Sequence, residues 1–208
     1  MSSISIIGLG TMASALADRA LASGNAVEII GRDPAKANEL AGSLGGAAVG
    51  AAGTAPAGEI VILAVPYASA ADVVSKYGDA LNGKIVIDIT NPANSDLSGL
   101  VTPEGSSGAQ EIAKVAPAGA HVVKAFNTVF ANVLSAAEGR SLDVFIAGDD
   151  AQAKAQVSVF IESLGLRPFD AGPLPMAQAL ENAGLLEMSL MTHSLNHTDF
   201  FLGVNILI

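Results

Sequence analysis

Short apolar runs alternate with alanine-rich amphipathic stretches along most of the 208-residue chain. The runs that predict strands are 4–8 (ISIIG), 26–30 (AVEII), 59–65 (EIVILAV), 84–90 (KIVIDIT), 121–126 (HVVKAF) and 143–147 (DVFIA). They are almost continuous in Val and Ile, which is typical of strands covered by helices on both faces. The stretches between them predict helices at 11–23, 34–44, 67–80, 108–115, 130–137 and 150–163. This repetition predicts an α/β fold with a doubly wound, mainly parallel sheet.

The end of the chain departs from that repetition. The stretch 93–107 is rich in Gly, Pro and Ser and predicts a loop. The prolines in 167–175 (RPFDAGPLP) interrupt the pattern, and 176–192 predicts a mostly apolar helix. We therefore expect a nucleotide-binding domain over 1–172 and a short C-terminal helical segment with a tail over 173–208.

Composition narrows the possible partners. Half of the residues are hydrophobic, 14% are charged and the formal net charge is −10. An acidic surface argues against nucleic acid and anionic membranes, because both are polyanions. The absence of cysteine excludes thiolate metal sites and cysteine nucleophiles. The first predicted strand begins at residue 4 and no apolar run is long enough to span a bilayer, so we expect a cytoplasmic protein.

A glycine turn joins the first predicted strand to the first predicted helix. Residues 8–13 read GLGTMA, in which Gly8 permits a tight turn and Gly10 lets the backbone approach a pyrophosphate at the helix N-terminus. With a second strand ending about 20 residues later, this is the context of a dinucleotide-binding (Rossmann) fold. The alternative is a glycine turn without a ligand. The cofactor-binding residues predicted here are Gly8, Leu9, Gly10, Thr11 and Met12.

The residues after the second predicted strand indicate which dinucleotide is bound. NAD-binding proteins usually carry an acidic residue there, but this chain has Gly31 followed by Arg32, with Lys36 one helical turn later. Arg32 and Lys36 can hold a 2′-phosphate, which a carboxylate would repel. Asp33 is expected to cap the helix that Pro34 opens. The pair therefore predicts NADP as cofactor, against the alternative of two solvated surface cations.

Several segments together resemble one family. The stretches IGLGTMASALA, GRDPAK, AVPYASA, VIDITNP, VKAFNT and VFIAGDDAQAKAQV, with LGLRPFDAGPL after the last, are similar to NADP oxidoreductases dependent on coenzyme F420. The similarity runs from residue 4 to at least 175. The resemblance implies that NADP lies across the carboxyl ends of the strands. It also implies cofactor contacts at Ala64, Val65, Pro66, Asn91 and Pro92, the last two behind the nicotinamide.

The same resemblance implies where a second substrate is bound. Family members that use a deazaflavin bind it against the nicotinamide, with the loop after the sixth strand and the C-terminus of the chain. In this sequence the loop supplies Asn127, Thr128 and Val129, and the tail is 201–208 (FLGVNILI). The alternative for Asn127 is a loop residue that bonds its own backbone.

The sequence shows no obvious acid–base set, and no catalytic residue is assigned from it. It contains no recognisable Ser–His–Asp set, tyrosine–lysine pair or paired carboxylates in one motif, and a metal site at His193 and His197 is not expected. Hydride exchange between nicotinamide and a flavin-like ring needs mainly stacking and proximity. We therefore expect hydride transfer between NADP(H) and coenzyme F420. A free flavin, a quinone, or a small carbonyl or imine is the alternative acceptor.

A different class of function also stays open. The chain could be a non-catalytic NADP(H) sensor that regulates a partner protein. In either case the apolar helix 176–192 and the tail 199–208 would be costly to expose, so we expect a homodimer.

Overall fold

The computed structural model of the protein describes residues 1–136 and 142–207. It contains an eight-stranded sheet flanked by helices. The strands are β1 (Ser3–Ile7), β2 (Ala26–Gly31), β3 (Ala48–Ala51), β4 (Ile60–Leu63), β5 (Ile85–Asp88), β6 (His121–Lys124), β7 (Asp143–Gly148) and β8 (Arg167–Gly172). The helices are α1 (Thr11–Ala22), α2 (Pro34–Leu44), α3 (Tyr67–Tyr77), α4 (Gly108–Val115), α5 (Ala131–Ser135), α6 (Ala151–Ser163) and α7 (Ala177–Leu190).

The strand order is β3-β2-β1-β4-β5-β6-β7-β8. All neighbouring strands are parallel except β6 and β7, which pair antiparallel. The predicted doubly wound, mainly parallel α/β fold is thereby confirmed. The order reverses direction between β1 and β4, and in open α/β sheets a ligand binds in the crevice outside the strand ends at such a point. The division of the chain at residues 172 and 173 stays a prediction.

Apolar side chains cover both faces of the sheet, as the continuous Val and Ile runs predict. One buried cluster joins the sheet to α1, α2, α5 and α6, and the other joins it to α3, α4 and the start of α7. All residues of β4 and β5 are buried. The sheet is therefore a rigid platform, and its strand ends fix the positions of the residues that follow them.

The apolar pattern of the sequence does not predict two of the strands, β3 and β8, and both lie at the edges of the sheet. β3 reads AVGA and has little β-branched or aromatic character, while β8 contains Pro168 and lies in the stretch whose prolines predict an interruption. Edge strands tolerate proline and weak β formers because one side of their backbone pairs with no strand. Continuous apolar runs predict the central strands of a sheet, so this pattern does not predict the two edge strands.

Several predicted boundaries also differ from the structure. The predicted strands 59–65, 84–90 and 121–126 end at Leu63, Asp88 and Lys124, and the residues beyond them turn away from the sheet. The predicted helix 67–80 ends at Tyr77 and continues as a 3₁₀ turn. The predicted helix 130–137 is seen as Ala131–Ser135, and residue 137 lies outside the described residues. The predicted helix 176–192 is α7, followed by a π-helical turn over Met191–Leu195.

Candidate cofactor and acceptor site

The glycine turn after β1 is held between two neighbouring strands. Gly8 has a φ of 142°, and a Cβ at this position would overlap with the carbonyl oxygen of Ala64. The Gly8 amide donates to Ile30 O at 2.9 Å, and Ala64 N donates to Ile7 O at 2.9 Å. A side chain at residue 8 would therefore push β1 and β4 apart, which explains the requirement for glycine.

The N-terminus of α1 is open. Gly10 is its N-cap and no side chain caps the helix, and a Cβ at Gly10 would have no neighbour within 4 Å. By contrast, Asp33 caps α2 and Asp150 caps α6 with their carboxylates. The first amides of a helix have no intrahelical acceptor, so those of α1 are available to an anion. This open and uncapped end fits the phosphates of a dinucleotide.

The predicted contact residues of this turn surround that opening. Gly10 and Thr11 are exposed, whereas Gly8, Leu9 and Met12 are half-buried. The structure therefore brings these five residues together at the start of α1, while their contact with a cofactor stays a prediction.

The basic pair lies at the neighbouring end of β2. Arg32 and Lys36 are both exposed, and neither forms an ion pair with a carboxylate in the described part of the chain. The side chain of Asp33 accepts from Ala35 N at 3.0 Å and from Lys36 N at 3.3 Å, so its predicted role as a helix cap is confirmed. Its carboxylate is thereby turned toward backbone amides, leaving the two cations free to meet a phosphate.

Gly31 has a packing role that the sequence did not indicate. A Cβ at Gly31 would lie 2.5 Å from Leu9 Cδ1. The Leu9 side chain therefore occupies the space in which a residue at the end of β2 would place its side chain. An acidic residue of the kind that NAD-binding proteins carry there would first have to displace Leu9.

The turns after β4 and β5 line the middle of the same edge. Pro66 is exposed and is the N-cap of α3, which also lacks a side-chain cap, and Ala64 and Val65 are half-buried. Asn91 is half-buried and Pro92 is buried. The predicted contact residues of both turns therefore lie at the same sheet edge as the opening of α1, and those after β4 lie next to the point where the strand order reverses.

Asn127 connects three parts of the site. Its Nδ2 donates to Asn91 Oδ1 at 2.9 Å and to Leu180 O at 2.8 Å, while Asn91 Nδ2 donates to Asn127 O at 2.7 Å. Because carbonyl oxygens only accept, these contacts fix the orientation of both amides. The Asn127 side chain is thus a buried bridge between the turn after β6, the turn after β5 and α7. The predicted contact of Asn127, Thr128 and Val129 with an acceptor is untested and stays a prediction.

The backbone before Asn127 is strained. Phe126 has a φ of 59°, in the left-handed region that bulky residues rarely adopt, and its side chain is fully buried against Phe160. Strain of this kind persists where the surrounding structure imposes it, and it is concentrated at functional sites. Here it redirects the chain after β6 so that residues 127–129 turn beneath α7.

Three buried polar atoms near these turns have no hydrogen-bond partner among the residues that the structure describes. They are Thr90 Oγ1, Asn127 Oδ1 and Thr128 Oγ1. All three residues are at most 5% exposed, and buried polar groups normally have partners. Their oxygens supply donors and acceptors of the kind that a carboxamide would need. This part of the edge therefore fits the nicotinamide end of a dinucleotide.

A buried charge cluster lies directly behind the turn after β5. Lys124 is fully buried, and its Nζ lies 2.8 Å from Asp88 Oδ2 and 2.9 Å from Glu181 Oε1. The same Nζ donates to Thr90 O, and Asp88 Oδ1 accepts from Thr90 N at 2.9 Å. Glu181 also accepts from Gly108 N and Ala109 N at the start of α4. Asp88, Lys124 and Glu181, named below the buried charge cluster, join β5, β6, α4 and α7.

The sequence contained a signal for part of this cluster. Asp88 and Lys124 are buried charged residues at the ends of β5 and β6, and the two strands place them opposite each other in register. Isolated charges in buried strands must be paired, so their pairing could have been predicted from adjacent strands. Glu181 gave no such signal, because an acidic residue in a helix is usually solvated.

Tyr67 lies beside the cluster at the start of α3. Its Cε2 would be 3.0 Å from a Cβ placed at Gly108, and Glu181 Oε1 would be 3.2 Å from the same point. Burial raises the pKa of the Tyr67 phenol, and the carboxylates of Glu111, Glu181 and Asp88 raise this pKa further. The environment of Tyr67 therefore disfavours additional negative charge.

The C-terminal tail lies against α7 and the start of β7. Leu202 N donates to Glu187 Oε1 at 3.3 Å, and Val204 N donates to Asp143 Oδ2 at 2.5 Å. Glu187 is buried, and burial raises the pKa of its carboxyl to about 8. Arg167 also bonds Asp143 and donates to Val204 O at 3.1 Å. The tail is therefore fixed through its backbone and leaves several of its side chains exposed.

Two other features bear on function. No helix in the described ranges 1–136 and 142–207 is long and apolar enough to cross a membrane. Within the same ranges, no three His, Asp or Glu side chains are grouped as a metal site requires. His193 and His197 are exposed, and His197 Nδ1 accepts from Asp199 N at 3.1 Å.

Comparison with known proteins gives a consistent result. The family model described as NADP oxidoreductase, coenzyme F420-dependent, matches residues 3–92. Metalloreductase STEAP3 of Rattus norvegicus is 32% identical over 179 residues, which cover 86% of this chain and 35% of the rat protein. The F420-dependent NADP reductase of Methanothermobacter marburgensis is 30% identical over 139 residues, which cover 64% of this chain and 62% of that enzyme.

A solved structure matches almost the whole chain. A candidate F420-dependent NADP reductase from Arthrobacter sp. FB24 has a TM-score of 0.87 and 26% sequence identity, and the match covers 99% of this chain and 100% of that protein. The chain spans less than two thirds of the two curated relatives above, so their activities apply to those proteins. These findings confirm the resemblance to the coenzyme F420-dependent NADP oxidoreductase family, whose model matches residues 3–92 of this chain.

Proposed function

We propose that the protein is an NADPH-linked oxidoreductase that transfers hydride between NADP(H) and a second ring cofactor such as coenzyme F420. One observation carries the proposal. The open N-terminus of α1 lies at the same sheet edge as the exposed cations Arg32 and Lys36, at the point where the strand order reverses. The match of residues 3–92 to this family's model and the similarity to the F420-dependent NADP reductase of Methanothermobacter marburgensis support this choice of reactants.

The residues at the β1 and β2 ends would bind the adenosine half of NADP. The free amides at the start of α1 would donate to the pyrophosphate, and Thr11 lies where its hydroxyl could add a further hydrogen bond. Arg32 would hold the 2′-phosphate with paired donors, and Lys36 would add a second positive charge. This half of the site would give binding affinity and discrimination against NAD.

The residues at the β4, β5 and β6 ends would orient the reacting half. The turns 64–66 and 91–92 would place the nicotinamide, which supplies the hydride when the cofactor is bound. Asn127, Thr128 and Val129 would form the side of the acceptor cleft, with Asn127 holding the turns through Asn91 and Leu180. Transfer between two stacked rings requires positioning within contact distance, and these buried bridges supply it without a titrating side chain.

The acceptor would be a diffusible small molecule, and we place the reaction in the cytoplasm as part of the same proposal. The test is binding and steady-state kinetics with NADPH and F420, a free flavin, a quinone and a small imine. Turnover with F420 supports the proposal, and turnover only with another acceptor replaces F420 by that acceptor. Tight NADPH binding without turnover of any acceptor would instead indicate a sensor.

We also propose a homodimer formed through the tail. Phe201, Val204, Ile206 and Leu207 are each at least 38% exposed, although they are apolar. A second copy that covers them would remove this surface from water. Deleting residues 199–208 should leave a folded nucleotide domain that is monomeric by light scattering. A dimer that persists without the tail would contradict the assignment.

A further inference from the structure

The buried charge cluster carries more negative than positive charge. Asp88 accepts from Thr90 N and Lys124 Nζ, and Glu181 accepts from Lys124 Nζ and from Gly108 N and Ala109 N. Two carboxylates therefore share one ammonium, and the formal charge of the cluster is −1. One ammonium therefore leaves one negative charge in excess, which the N-terminus of α4 offsets only in part.

This charge lies immediately behind the turn 90–92. Thr90 is bonded from both sides by the cluster, through its amide to Asp88 and through its carbonyl to Lys124. Thr90 Oγ1 and Asn127 Oδ1 lie just after β5 and β6, and both are buried without a hydrogen-bond partner in the described part of the chain. Under the function proposed above, this turn is the one that backs the nicotinamide. All three side chains of the cluster are fully buried, so solvent and salt screen the excess charge weakly.

Tyr67 shows the sign of the electrostatic effect at this place. Burial raises the pKa of the Tyr67 phenol most, and the carboxylates of Glu111, Glu181 and Asp88 raise this pKa further. A field that disfavours a new negative charge favours a new positive charge by the same interaction. The oxidised nicotinamide ring carries a positive charge and the reduced ring is neutral.

We propose that the buried charge cluster of Asp88, Lys124 and Glu181 favours the oxidised over the reduced nicotinamide and so biases the bound cofactor toward hydride donation. In the transfer a C–H bond of the reduced ring breaks and its electron pair leaves with the hydrogen to a ring carbon of the acceptor. The nicotinamide gains one positive charge, and no proton is taken from the cluster. The inference rests on the proposed function, because it requires NADP at this edge.

The experiment compares the dissociation constants of NADP⁺ and NADPH at pH 7 by calorimetric titration. Glu181→Gln and Asp88→Asn each remove one negative charge and bring the cluster to neutrality. A buried unit charge alters the affinity for a neighbouring charged group by about tenfold, so we expect the ratio Kd(NADP⁺)/Kd(NADPH) to rise about tenfold in each variant. For a two-electron couple, tenfold corresponds to about 30 mV in the midpoint potential of the bound cofactor.

Glu187→Gln is the matched control. Glu187 is a second buried glutamate of α7, but burial raises its pKa to about 8, so that it is mostly protonated at pH 7. The same substitution there exchanges one neutral group for another, so the ratio should not change. Binding of 2′,5′-ADP, which lacks nicotinamide, should be equal in all variants and shows that the phosphate site is intact.

The outcomes separate the inference from the function. An unchanged ratio in Glu181→Gln and Asp88→Asn, with both nucleotides still bound, overturns the inference and leaves the proposed function standing. A wild-type protein that binds neither nucleotide overturns both. If one variant does not fold, the other tests the same charge from the opposite side of Lys124.

Discussion

The two ends of the proposed cofactor site are built differently. At the adenosine end, the exposed residues are Gly10, Thr11, Arg32 and Lys36, which follow the neighbouring strands β1 and β2 within the first 36 residues. At the nicotinamide end, Asp88, Lys124, Asn127 and Glu181 are buried and come from four separate elements or turns. Exposed groups can bind a ligand without supporting the fold, whereas buried charges must be paired for the fold to be stable. Substitutions should therefore affect binding at the first end and stability at the second.

The largest effect should come from the centre of the buried end. Lys124→Met leaves two carboxylates buried without their cation, and breaking a buried ion pair in this way lowers the free energy of unfolding by about 3–5 kcal/mol. Lys36→Met is the matched control on an exposed lysine and should change stability very little. Urea denaturation of both variants is the measurement. Equal stability of Lys124→Met and Lys36→Met would abolish the distinction between the two ends.

The next largest effect should be a loss of NADPH affinity at the exposed end, without a change in stability. Arg32→Glu replaces a phosphate ligand by a repelling charge, so NADPH binding should weaken by about 2–4 kcal/mol. NADH lacks the 2′-phosphate and should bind with nearly the same affinity to both proteins, and stability should be unchanged. Titration of both nucleotides is the measurement. Equal losses for NADH and NADPH would show that Arg32 does not hold the phosphate.

The pH dependence of stability tests whether Glu187 is buried as a protonated carboxyl. Its folded-state pKa of about 8 lies above the ordinary value of 4.5, so the folded protein keeps a proton that the unfolded chain releases. The stabilising contribution of this retained proton is complete at a pH below the pKa of the unfolded state, and it is lost as the pH rises through the pKa of the folded state. Glu187→Gln has no such group, so its free energy of unfolding should fall by about 1–3 kcal/mol less than that of the wild type between pH 5 and pH 9. Urea denaturation across this range measures it, and parallel profiles would contradict a buried protonated carboxyl.

The smallest effect should come from positioning at the buried end. Asn127→Ala removes the bonds to Asn91 Oδ1 and Leu180 O, so we expect acceptor turnover to fall by roughly tenfold while NADPH affinity stays within about twofold. Steady-state kinetics with F420 and fluorescence titration with NADPH are the measurements. Unchanged turnover would make Asn127 a structural bridge only.

The same contrast explains what could be predicted from the sequence. The glycine turn and the helix capped by Asp33 depend on neighbouring residues, so local motifs predicted their placement. The cluster depends on Glu181 of α7 reaching Lys124 of β6, a pairing set by how α7 packs rather than by any local pattern. The edge strands β3 and β8 were missed for a related reason, because their sequence is not constrained by burial on both faces.

The cap of α4 by Glu181 has a consequence for local opening. Ser107 caps the helix through Gln110 N, but the amides of Gly108 and Ala109 bond a carboxylate that belongs to α7. If α7 separates from the sheet, these two amides lose their acceptor while α4 remains folded. Their hydrogen exchange would then proceed through a smaller opening than global unfolding. Exchange rates at these two amides, compared with Gln110, would therefore measure how often α7 leaves the site.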